Sequence, residues 1–187
     1  MKKIFTLLAL TIAFTVSAQT NTNFGTESLN SNTTGVNNSA FGYQSLKFNT
    51  TGSDNTASGY DALGKNTEGI NNTAYGQQSL FYNTTGSFNT ASGAYSLGSN
   101  TTGSYNAASG MFSLLSNTTG SYHTAFGYDA LGKNTEGRKN TASGYESLAN
   151  NTTGNYNTAS GYFSLRSNIT GGNNTAFGYN AMASTDN

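Results

Sequence analysis

Cysteine, proline and tryptophan are absent from this chain of 187 residues, and histidine occurs once. Without cysteine there is no disulfide to hold an exported fold and no thiolate to serve as nucleophile or metal ligand. The lone His123 has no second histidine or cysteine with which to complete a zinc set or a nucleophilic triad. Charge is scarce as well, at 9% of residues, with eight basic side chains against eight acidic ones. Two of the basic residues, Lys2 and Lys3, sit at the extreme N-terminus, and without them six face eight, a net charge near −2. That balance offers no electrostatic attraction for nucleic acid or for an anionic membrane surface. Beyond the first eighteen residues no segment is apolar enough to cross a bilayer, so no membrane span is expected. These absences lead to the reading that the chain is not an enzyme, with no catalytic, cofactor-binding or metal site.

The first eighteen residues stand apart. Lys2 and Lys3 precede the mostly apolar run Ile4 to Val16, and Val16-Ser17-Ala18 supplies small residues for a signal peptidase. Residues 1–18 are therefore read as a secretory signal peptide, too short and wrongly flanked for a membrane span. The expected location is secreted or on a bacterial cell surface, with no lipoprotein anchor because no cysteine follows the apolar run.

What the rest of the chain has is period. A seventeen-residue unit runs without insertion or deletion from Gly35 to the end, marked by the glycine columns Gly35, Gly52, Gly69 onward and Gly42, Gly59, Gly76 onward. Fixed self-similarity at a short period is the signature of a solenoid, in which each unit stacks on the next. Residues 35–187 are read as nine such repeats and residues 19–34 as a ragged N-terminal coil, since Phe24, Gly25, Ser28 and Leu29 are in register with Phe41, Gly42, Ser45 and Leu46. The polar composition alone would suggest disorder. Registered leucines argue against it.

Within the unit Gly52–Glu68, two apolar columns persist. Ala57 recurs at every unit, and Leu63 recurs until Met182 closes the series. In a strand alternate residues share a face, so Asn55, Ala57 and Gly59 are expected inside and Thr56 and Ser58 outside. Two glycines per unit and frequent threonine disfavour helix. The fold class that follows is all-β, a parallel β-solenoid (β-roll) with 17-residue coils, about nine of them. Each coil is expected to hold two short strands, near Asn55–Ser58 and Ala62–Leu63, joined by glycine turns.

Two asparagine columns, led by Asn55 and Asn66, read as ladders in which amides bond between coils. His123 replaces asparagine once in the first of them. The acids Asp61, Glu68, Asp129 and Glu136 fall in near-identical coils, and Lys65 with Glu68, like Lys133 with Glu136, is expected to form an exposed ion pair. Two outward surfaces offer themselves for binding. One is the hydroxyl array of Thr56 and Ser58, interrupted by Phe41, Tyr75, Phe126 and Phe177. The other is the column Tyr43, Tyr60, Tyr128, Tyr145, Tyr162 and Tyr179, whose rings suit sugar stacking or packing against a neighbour. A thin coil has little core, so chains are expected to associate and cover these aromatics.

The units Asn55–Tyr60 and Asn174–Tyr179 resemble the head repeats of trimeric autotransporter adhesins, and the longer phrase Asn157–Gly171 is similar to repeats in phage tail-fibre-like bacterial surface proteins. The resemblance implies a parallel β-roll in which three chains pack side by side. The usual adhesin-head unit is a few residues shorter than seventeen. Function is accordingly read as a structural or adhesive repeat protein, a homo-oligomer (trimer) binding a glycan or a host or abiotic surface through repeated faces. The alternative is a monomeric solenoid that binds ice or another crystal through its hydroxyl array.

Overall fold

The computed structural model describes residues 20–184, so the signal-peptide assignment to residues 1–18 lies outside the described residues. Strands of three residues recur at the repeat interval, from β1 (Thr22–Phe24), β2 (Ser39–Phe41) and β3 (Thr56–Ser58) to β10 (Thr175–Phe177). They form one ten-stranded parallel sheet in sequential order. Register steps by one whole unit, with Thr56 beside Thr73 and Ala57 beside Ala74. β1 pairs with β2 in the same way, setting Phe24 beside Phe41. The chain is an all-β parallel β-solenoid with coils of seventeen residues, about nine turns in all.

Strand alternation places Asn55 and Ala57 in the core as expected, but Gly59, also expected inside, is part-exposed because the chain leaves the strand and turns there. Asn55 and Ala57 are fully buried while Thr56 and Ser58 are part-exposed. Leu63 is also fully buried, as are its counterparts from Leu46 to Leu165. A third column joins them that the sequence reading left out. Ala62 and its equivalents Ser45, Ser79, Ser113, Ser147 and Ser164 are fully buried too. Each of these serines donates its hydroxyl to a carbonyl three residues back, as Ser79 Oγ does to Gly76 at 3.0 Å, whereas Ser96 in the same column is fully buried with its hydroxyl unpartnered.

The second expected strand, near Ala62–Leu63, does not form. Gly59 to Lys65 is instead a run of linked turns. Asp61 and Leu63 have left-handed φ values of 55° and 51°, alternating with residues of negative φ. This alternation splits the backbone donors into two sets. The Asp61 N–H reaches back to Tyr43 of the preceding coil at 2.9 Å, and the Leu63 N–H reaches forward to Ser79 of the next at 3.0 Å. The intervening Ala62 and Gly64 N–H groups close onto Gly59 and Asp61 at 3.4 and 3.1 Å. From Asp61 to Lys65 every backbone donor is satisfied without a strand. A left-handed leucine costs roughly 1–2 kcal/mol, and full burial of its side chain returns about 1.5–3 kcal/mol.

Both glycine columns lie against the backbone of the next coil, a Cβ at Gly59 falling on the Gly76 carbonyl, but they differ in conformation. Gly59 has φ +141°, a conformation that side chains rarely adopt. Gly69 does not need positive φ, so it is not simply a turn residue. A Cβ there would fall on the Gly86 carbonyl of the next coil and on the Asn66 side chain. Glycine at that column sets how closely consecutive coils approach.

Candidate functional surface

The polar interior is a set of ladders. In the first, the Asn55 backbone N–H donates to Asn38 Oδ1 of the preceding coil at 3.0 Å, and Asn55 Oδ1 accepts the Asn72 N–H at 3.0 Å. The same side chain sends its Nδ2 to the Gly69 carbonyl at 2.8 Å. In the second ladder amide meets amide, with Asn66 Nδ2 donating to Asn49 Oδ1 at 2.8 Å and to Gly69 O at 3.0 Å. A third ladder was not foreseen. Thr67 Oγ1 donates to the Thr84 carbonyl at 3.1 Å, and the same bond repeats along the column from Thr33 to Thr152. The signal for it was the near-invariance of threonine after each Asn66 equivalent.

His123 takes the place of an asparagine in chemical detail. Its Nδ1 accepts the Asn140 N–H at 3.2 Å, as Oδ1 does elsewhere, and its Nε2 contacts the Gly137 carbonyl at 2.6 Å, as Nδ2 does elsewhere. The ring is therefore neutral with the proton on Nε2. Asn134 Nδ2 lies 3.1 Å from the same nitrogen, but its own hydrogens are directed to Asn117 Oδ1 at 2.8 Å and Gly137 O at 3.3 Å. Burial lowers the His123 pKa to about 4. Protonation of Nδ1 would also set two donors against each other at Asn140. The imidazole is 1% exposed and reaches no solvent-facing group.

The acidic side chains singled out in the sequence are not brought together. Asp61 and Asp129, like Glu68 and Glu136, are four coils apart, about 19 Å at the spacing of parallel strands. That exceeds the separation at which two carboxylates share a glycosidic bond. The expected Lys65–Glu68 and Lys133–Glu136 ion pairs do not form either. Ion pairs among the described residues join different coils, Lys47 to Glu27 at 2.6 Å and Arg166 to Glu146 at 2.7 Å. Lys65 lies instead over the Phe48 ring, 4.3 Å from its centroid. One column of acids went unnoticed: Asp129 and Glu146 hold the same position in consecutive coils. Burial, then the Glu146 charge, raises the Asp129 pKa. No group of three or more histidine, aspartate or glutamate side chains lies within metal-holding distance among the described residues.

Outside, the aromatic side chains stack along the axis. Tyr128, Tyr145, Tyr162 and Tyr179 form one continuous column with centroids 5.0, 5.1 and 5.4 Å apart and ring planes within 11° of parallel. Tyr43 and Tyr60 form a shorter one at 5.3 Å. Because each ring covers its neighbour's face, these columns present edges and hydroxyls rather than faces. Stacking of a sugar on every ring, one of the two uses expected for this column, is thereby blocked inside the run. Packing against the neighbouring coil is what the rings do. A second column escaped the sequence reading. Phe88, Tyr105 and Tyr122, each before a buried ladder residue, stack at 5.0 Å with planes within 3°. They border a shallow groove floored by Thr90, Ala107 and Thr124. Beside Thr56 and its equivalents, the strand face thus carries aromatic rows on both flanks, with Tyr75 and Phe126 on the other side.

No helix among the described residues is long and apolar enough to cross a membrane. Comparison with family models, with curated proteins and with solved structures gave no match.

Proposed function

We propose that this protein is an exported structural or adhesive rod of the cell surface. It works as an oligomer, three copies being the number that the resemblance to adhesin heads implies, and has no catalytic role. The observation that supports the reading most is the tyrosine column Tyr128–Tyr179, in which one chemistry recurs at coil spacing on an exposed edge. A repeated, shallow edge suits a repetitive partner, where many weak contacts add through avidity. Hydroxyl edges favour hydrogen bonding to a polysaccharide laid along the rod over stacking onto its rings.

Binding of the exported protein to a panel of immobilised polysaccharides and to whole cells tests this. Tyr145→Ala combined with Tyr162→Ala should reduce retention at least tenfold without loss of β-structure by circular dichroism. Absence of binding to every surface, or binding indifferent to both substitutions, would overturn the adhesive role of this edge. The crystal-binding alternative rests on the Thr56 row. That row loses its hydroxyl at Ala107 and is flanked by rings, so the adhesive reading is preferred. Thermal hysteresis by the purified protein would reverse that preference.

A further inference from the structure

We propose that the outward face of the sheet is where copies of this chain meet, parallel and in register about an axis running along the rod. The proposal deepens the oligomeric part of the reading above and rests on it.

Three outward rows make up this face: those of Asp54, of Thr56 and of Ser58. Apart from Asp54 and Lys139, the charged side chains between residues 20 and 184 all lie elsewhere on the coil. Depletion of charge with enrichment of aromatics is the composition of an interface centre. The rings here are large and uncovered, with Tyr75, Tyr105, Tyr122 and Phe126 each 49–54% exposed. Nine coil steps by four residue steps give a flat face of roughly 600 Å² per copy, enough for a total above about 1,000 Å².

The register comes from the sizes on the two flanks. Coils with a ring on the Asp54 side have serine on the other: Phe88 with Ser92, Tyr105 with Ser109, Tyr156 with Ser160. Coils with a ring on the Ser58 side have asparagine opposite: Phe41 with Asn37, Tyr75 with Asn71, Phe177 with Asn173. Rotation about an axis along the rod sets each coil against its own counterpart and exchanges the flanks, so every one of these rings meets a small or short polar residue. Only the Tyr122–Phe126 coil brings ring to ring. The same exchange holds for two copies or three. An antiparallel copy centred on the same face would set Phe41 against Phe177, Phe88 against Tyr122 and Tyr105 against itself.

Because the chain lacks cysteine, introduced thiols report the arrangement directly. Tyr105→Cys with Ser109→Cys should give a covalent oligomer on oxidation, while each single variant stays unlinked. The two positions within one chain are about 13 Å apart, beyond disulfide reach. Thr124→Lys, which places charge at the centre of the face, should weaken association at least tenfold in sedimentation and leave the circular dichroism unchanged. Linking through Ser109→Cys alone would overturn the parallel register. An oligomer that neither links in the double variant nor responds to Thr124→Lys would overturn the face while leaving the oligomeric reading intact. A monomeric parent would overturn both.

Discussion

Asn55 and Asn66 donate to one and the same acceptor, the carbonyl oxygen of Gly69, at 2.8 and 3.0 Å. Two ladders that are separate in sequence are thus tied together in every coil at a residue that has no side chain. The Gly69 backbone can serve both only because nothing fills the space between it and Gly86. Buried amides of this kind are expensive to leave unpaired, which makes the interior of the rod specific as well as stable.

Asn117→Ala tests the second ladder. It removes the donor to Asn100 Oδ1 at 2.8 Å and to Gly120 O at 3.0 Å, and the acceptor for Asn134 Nδ2 at 2.8 Å. Three buried groups lose a partner, for an expected loss of about 3–5 kcal/mol in chemical denaturation. Asn117→Asp should be worse at neutral pH than at pH 3, because a carboxylate would face two carbonyl-type oxygens.

His123 makes the rod sensitive to acid. Its pKa falls from the ordinary 6.5 to about 4 in the folded chain, chiefly through burial. Between those values the unfolded chain binds the extra proton and the folded one does not. Stability from this residue is complete above about pH 6.5 and declines as pH falls toward 4, by up to about 3 kcal/mol. His123→Asn should leave stability at pH 8 within about 1 kcal/mol and flatten the difference between pH 7 and pH 4.5. Parallel denaturant titrations of the two proteins at each pH measure it.

Leu114 separates side-chain volume from backbone conformation. Its φ is 51° and its side chain is fully buried. Leu114→Ala should cost about 2–5 kcal/mol through the cavity left behind. Leu→Ile replacements in ordinary cores cost less than about 1.5 kcal/mol. Here a β-branched residue at positive φ is a conformational outlier, so Leu114→Ile should cost nearly as much as the alanine. A loss small enough for ordinary repacking would contradict the left-handed assignment.

Gly103 tests the spacing of the coils. A Cβ there would fall on the Gly120 carbonyl and on Asn100 Oδ1. Gly103→Ala should destabilise by more than about 2 kcal/mol, although φ is not at issue at this position. Thermal melts followed by circular dichroism suffice.

Much of this molecule was open to reading in one dimension. A repeat with no slippage means that each residue meets its own equivalent one coil away, so the Ala57 and Leu63 columns named the core and the Asn55 column named a ladder. Period also placed Thr56 and Ser58 outside, since side chains alternate along an extended segment. What period does not carry is backbone conformation. Leu63 scores as an apolar strand residue, yet its wall is built of left-handed turns, because neighbouring coils supply carbonyls at the heights those turns require. Nor does period tell which way an aromatic ring faces. Tyr145 and Tyr162 are equally exposed in sequence terms, but stacking at 5.1 Å covers their faces and leaves edges. Composition and spacing determined which residues would meet; only the packed coils decided the dihedral angles and ring orientations with which they do, because those depend on hydrogen bonds and contacts with residues seventeen positions away.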